Sequence, residues 1–121
     1  MPSIPTLVRD AASASADDLD LARRASAGDP QAFRTIMTTH NQALYRIARA
    51  VIRNDSEAED VVQEAYVRAF SHLGSFRGEA TLSTWLSRIT LNEALGRLRR
   101  KKRAAQALRA EDPGIPAQII P

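Results

Sequence analysis

The sequence predicts an all-α fold, a single compact bundle of about four helices, and three observations carry that prediction. Apolar side chains recur at helical spacing, most clearly in Phe33, Ile36, Met37, His40, Leu44, Ile47, Ala48 and Val51. Helix punctuation separates such stretches at Gly28-Asp29-Pro30, at Asn54-Asp55 and around Gly78. No alternating strand pattern and no internal repeat interrupts them. With 121 residues, 44% of them hydrophobic, the chain has material for one domain with a modest core.

Residues 1–16 are rich in Ala, Ser and Pro without a sustained period, and are expected to form a flexible N-terminal tail. A first helix is predicted near 17–27, where DDLDLARRASA sets acids before bases in the order the helix dipole favours. Gly28 stops it, Asp29 is placed to cap the next helix, and Pro30 suits a first helical position. The second helix is predicted over 30–53. His40 falls on its apolar stripe and is read as an edge-of-core residue without chemistry. Ser56-x-x-Glu59 has the spacing of a capping box for a third helix over 56–73. Its Ala58, Val62, Ala65, Ala69 and Leu73 share one face, opposite Asp60, Gln63, Glu64 and Arg68. After a Gly-hinged loop, Thr81 is placed to cap a fourth helix over 81–108. Leu82, Trp85, Leu86 and Ile89 share its first face, but Leu91, Leu95 and Leu98 fall on nearly the opposite side, so its two halves are expected to pack against different things. Gly96 marks either close packing or a weak spot, at about 1 kcal/mol relative to Ala. Three prolines from residue 113 onward end helical structure.

Several function classes are excluded at this level. There is no cysteine, the two histidines are far apart, and no Gly-rich phosphate loop exists, so no catalytic constellation can be assembled and neither enzyme activity nor a metal or cofactor is expected. No apolar run reaches the roughly 18 residues of a membrane span, and no signal peptide precedes the domain, which points to the cytoplasm. The net charge of +3 hides a segregation: residues 55–80 carry a net −4 and residues 81–121 a net +5. Two charged partners of opposite sign account for that better than one.

Each candidate feature has a plain reading beside a functional one. Six cations in seven positions, Arg97, Arg99, Arg100, Lys101, Lys102 and Arg103, make either a solvated helix end or a salt-dependent phosphate-binding surface. The acids opening the third helix serve capping, yet Asp60-x-x-Gln63-Glu64 extends the polar strip further in and suits a basic partner helix. Trp85 lies on the apolar stripe and belongs to the core. Phe76, beside Arg77 and Gly78 in SFRGEATLSTW, is either core or an aromatic that stacks on unpaired bases. Asn92 is either idle on an exposed face or a reader of a base edge.

Taken in order, SEAEDVVQEAYVRAFSHLGSFRGEATLSTWLSRITLNEALGRLRRKKR closely resembles conserved region two of the extracytoplasmic-function sigma factors, promoter-recognition subunits of bacterial RNA polymerase. The likeness takes in GDPQAFRTIMTTHNQALYRIARAVI as well and spans roughly residues 17–103. It implies that Asp60, Gln63 and Glu64 dock on the coiled-coil clamp helices of the largest polymerase subunit. Phe76 and Arg77 would hold a base flipped from the non-template strand of the minus-ten element, with Gly78 turning the loop and Trp85 anchoring it. Arg88 and Asn92 would contact the melted element and its upstream edge, and Arg68 with the 97–103 cluster would hold phosphates. An anti-sigma factor is a further implied partner, and a monomer is expected.

Two departures from the family pattern stand out. The 18 residues after Arg103 leave no room for the second, helix-turn-helix domain, so the expected organisation is a tail at 1–16, a region 2 domain at 17–108 and a linker fragment at 109–121. Ser87 and Gly96 are compact where larger base- or phosphate-contacting side chains would be unsurprising. The competing classes are a generic basic helical regulator of duplex DNA, which has no use for Asp60 or Glu64, and a protein-interaction bundle whose charges only solubilise it.

Overall fold

A computed structural model describes residues 13–111, with Glu111 described by its backbone alone. The expected tail through residue 12 and the expected linker from residue 112 lie outside the described residues. Helix α1 runs over Ala16–Ser26. Ser15 caps it by accepting the Asp18 N–H at 3.0 Å, with Asp17 and Asp18 in the first turn and Arg23 and Arg24 in the last. The folded unit therefore starts before the expected boundary at 17. Ala14 is already bound, its N–H donating to the Gly78 carbonyl at 3.1 Å.

Gly28 turns the chain at a φ of +94°, which L side chains rarely adopt. Asp29 then accepts the Gln31 N–H at 2.9 Å and Pro30 opens α2, Pro30–Ile52, as the sequence predicts. Its stripe buries Ala32, Ile36, Leu44, Ala48 and Ile52, while His40 is half-buried. The third helix differs in its start. Arg53 takes the left-handed conformation (φ 63°), which ends α2 and leaves Asn54 extended, so Asn54 rather than Ser56 is the cap. The Asn54 side chain accepts the Glu57 N–H at 2.9 Å, and the Ser56 hydroxyl donates to Asn54 Oδ1 at 3.1 Å. Helix α3 spans Asp55–Ser71 and yields to a 3-10 turn at Leu73–Ser75, two residues short of the predicted end. Helix α4 spans Leu82–Glu111, longer than predicted, because nothing in its sequence breaks it before Pro113.

Helix α4 packs across both α2 and α3, and α1 lies against α2 and the 3-10 turn. The core is made by Ile36, Leu44, Val61, Leu82 and Leu86 together with the alanine-rich face of α3. Among the described residues Thr90 is the one buried polar side chain, and its hydroxyl donates to the Leu86 carbonyl at 2.9 Å. Phe33, Phe70 and Tyr66 form an aromatic corner, edge-on at 4.5 Å and stacked at 5.6 Å. The Tyr66 hydroxyl donates to Asn41 Oδ1 at 2.9 Å, and burial pushes its pKa up to about 12. The expected second packing face of α4 does not form. Leu91 and Leu95 are exposed at 41% and 37%, and only Leu98 is partly covered. Among the described residues α2 and α3 cover one side of α4, and no element lies across the other. Every residue from Arg99 to Ala110 is exposed.

Candidate nucleic-acid interface and docking strip

The loop between α3 and α4 is held at several points along its length. The Ser75 and Phe76 N–H groups bond back to the His72 and Leu73 carbonyls at 2.9 and 3.1 Å, and Leu73 is buried. Phe76 turns its ring onto Trp85, with centroids 5.3 Å apart and planes at 58°, so each aromatic is half-buried by the other. Gly78 follows at a φ of +79°. Thr81 caps α4 as predicted, accepting the Thr84 N–H at 3.1 Å. Gly78 also has a packing reason: a Cβ there would stand 2.8 Å from Leu19 Cδ2.

Beneath the Trp85 ring lies a groove of about 380 Å³ lined by Arg68, His72, Ser75, Trp85, Ile89, Asn92 and Glu93. It brings together Arg68 and Asn92, which lie in different helices. Arg68 is also ion-paired with Glu93 across α3 and α4. That pair joins positions 25 residues apart and has no local sequence signal. Arg77 and Arg88 are exposed and do not line this groove. Arg88, Asn92, Arg99 and Arg103 recur at spacings of 4, 7 and 4, which sets them along one exposed side of α4 together with Leu95.

The cation cluster divides into two groups. Arg97 turns toward α3, donating to the Glu57 carbonyl at 3.2 Å and pairing with Asp60 at 3.6 Å; Lys101, one turn on, meets the Glu57 carboxylate at 2.8 Å. Those two sites expected to hold phosphate are therefore occupied by the protein's own acids. Arg99, Arg100, Lys102 and Arg103 are exposed, and among the described residues none of them has a protein partner. On α3, Asp60, Gln63 and Glu64 are all exposed and share a shallow concavity of about 520 Å³ with Val67, Arg68 and Arg97. Val67, an aliphatic residue one turn after Gln63 and Glu64 on this polar face, is 67% exposed.

The Asp55 carboxyl is held below its ordinary range by hydrogen bonds from Arg49 and Tyr45. Among the described residues no cluster of ligating side chains fits a metal ion, and no helix is long and apolar enough to cross a membrane.

The described residues thus form a small helical bundle with an aromatic-pinned loop, a cationic helix side and a separate acidic strip. The Sigma-70 region 2 family model matches residues 36–104, and the chain belongs to that family, among its extracytoplasmic-function members. It is 41% identical over 85 residues to the ECF RNA polymerase sigma factor SigM of Mycobacterium tuberculosis, covering 70% of this chain and 43% of that protein. The ECF sigma factor SigW of Bacillus subtilis is 39% identical over 75 residues, covering 62% and 40%. The chain thus spans about two fifths of the length of these relatives. An engineered region 2 of sigmaE solved by NMR in complex with GTAAAA superposes with a TM-score of 0.66 at 31% identity, covering 72% of this chain and 90% of that one.

Proposed function

We propose that this domain recognises a promoter's minus-ten element in its melted, non-template single-stranded form and carries it on core RNA polymerase. The observation that supports this most is the setting of the loop. Phe76 is braced on Trp85, the Trp85 ring lines a groove shared by Arg68 and Asn92, and Arg88, Arg99 and Arg103 lie on the exposed side of the same helix. In this reading Phe76 and Arg77 hold a base turned out of the strand, Arg88 and Asn92 contact the element and its upstream edge, and the unpaired cations follow the phosphates. Turning a base out costs a few kcal/mol. A domain that binds only the opened form shifts the equilibrium toward it. The engineered sigmaE region 2, solved in complex with GTAAAA, supports the same reading.

Asp60, Gln63 and Glu64 would dock on the basic clamp coiled coil of the largest polymerase subunit, with Val67 as the apolar centre of the contact. An anti-sigma factor would cover these same surfaces, and the site of action would be the cytoplasm.

The test has two arms. In the first, wild type and the Asp60→Lys, Glu64→Lys double variant are compared for binding to the isolated clamp coiled coil. In the second, wild type is used to select from a randomised pool of single-stranded DNA. Clamp binding abolished by the charge reversal, together with enrichment of a defined hexamer, is expected. A folded wild type that does neither would refute the proposal.

A further inference from the structure

We infer that Asp18, on the first helix, is a positioning residue for the DNA-reading loop, acting with Leu19 as a clamp that sets the shape of residues 76–82; this rests on the function proposed above. The reasoning begins at the N-terminus of α4, whose first N–H groups have no partner within the helix. Trp85 N–H reaches the Thr81 carbonyl and Thr84 N–H reaches the Thr81 hydroxyl, so Thr81 serves two of them locally. Leu82 is fully buried, and water cannot serve its N–H. The acceptor is Asp18 Oδ2 at 2.9 Å, from a residue 64 positions earlier in the chain.

Asp18 is held in place for this. Its own N–H is fixed by the Ser15 cap of α1. Ser15 and Asp18 have capping-box spacing, yet the acid reaches across to another helix. The contact is one of three between this end of α1 and the loop. The Ala14 N–H donates to the Gly78 carbonyl at 3.1 Å, and Leu19 fills the space that a Cβ on Gly78 would need. Leu19 also lines, with Phe76, Leu73 and Gly74, the groove of about 620 Å³ behind the loop. Backbone on one side of Gly78 and the helix start at Leu82 are thus both set by α1, and between them lie only Glu79, Ala80 and Thr81. Phe76 meets Trp85 at a defined angle because both ends of the intervening chain are fixed.

A clamp of this kind predicts that binding selectivity is lost while docking is kept. The experiment compares Asp18→Ala, Asp18→Asn and Leu19→Ala with wild type, using the single-stranded hexamer that wild type selects from the randomised pool and a scrambled hexamer of the same composition. Both probes carry the same phosphates, so the ratio of their affinities reports base recognition rather than backbone charge. Asp18→Ala should lower that ratio by about tenfold, the order expected when one buried N–H loses its acceptor. Asp18→Asn, which keeps an oxygen facing Leu82, should restore most of it. Leu19 is 44% exposed, so Leu19→Ala keeps the fold and should still lower the ratio. Clamp coiled-coil binding should match wild type in all three. Wild-type ratios in both alanine variants would overturn the inference, as would an equal loss of clamp binding, which marks a residue that only stabilises the fold. If wild type selects no hexamer, the functional proposal itself falls, a result distinct from these.

Discussion

Replacing Arg99 and Arg103 by Gln should flatten the salt dependence of single-strand binding, whereas replacing Arg97 and Lys101 by Gln should leave it nearly unchanged. Each phosphate neutralised on a single strand contributes about 0.7 to the slope of log affinity against log salt. Arg99 and Arg103 lie on the exposed side with Arg88 and have no protein partner among the described residues, so their loss removes about 1.4 from the slope. Between about 50 and about 200 mM salt that amounts to about a sevenfold smaller drop in affinity. Arg97 and Lys101 already face Asp60, the Glu57 carbonyl and the Glu57 carboxylate, and their removal releases few counterions. Its effect should appear as a loss of stability of about 1 kcal/mol or less per surface pair. Fluorescence anisotropy of a labelled single strand, titrated with NaCl for both double variants, reads the two slopes. Equal flattening in both would refute the division of the cluster, and with it the idea that α3's acids hold two of its cations away from DNA.

Phe76→Ala should reduce the preference for the selected hexamer over its scrambled form without changing clamp binding; equal losses in both would count against the loop as the reader. Gly96→Ala should stabilise the domain by up to about 1 kcal/mol in urea unfolding, since an added methyl meets only the mobile ends of Arg100 and Arg99 at 3.4 and 3.8 Å; destabilisation would show that the backbone there is more tightly packed. Leu86→Ala, at 2% exposure, should cost about 2–5 kcal/mol by the same assay. Burial holds the His40 imidazole below its ordinary value of 6.5, with the Asp18 carboxylate opposing. The unfolded chain therefore takes up the proton first, and this residue's contribution to stability is complete above that value and declines as pH falls toward the folded one. Comparing urea midpoints at about pH 7.5 and about pH 5.5, His40→Gln should show a smaller decline than wild type; an unchanged decline would place the effect on other groups.

The helices were legible because their signals are local. Gly28, Asp29 and Pro30 act within two or three residues of one another, and the stripe through Ile36, Leu44 and Ala48 follows from helical period alone. The Ser56 cap was misread for a reason equally local in appearance but not in origin: Arg53 left-handed and Asn54 extended depend on how α2 meets α3. The opposite faces of α4 were legible as a pattern, but what covers them was not, and Leu91 and Leu95 proved uncovered. Among site residues, Asp60, Gln63 and Glu64 could be placed on one exposed strip from spacing, as the structure has them. Whether each cation was available could not, because Arg97, Lys101 and Arg68 find their acids in another helix.

By itself the sequence determined an all-helical fold, the approximate limits of the four α-helices among the described residues, the separation of an acidic helix face from a basic one, and the family to which the chain belongs. These rest on periodicity, caps and residue order, all of which act over a few turns. Tertiary structure decided which charges are free and which are paired, that Phe76 leans on Trp85, and that the start of α4 is capped from α1. Those contacts join residues 9 to 64 positions apart, and their energies depend on distance and burial after packing. Such quantities exist only once the helices have met.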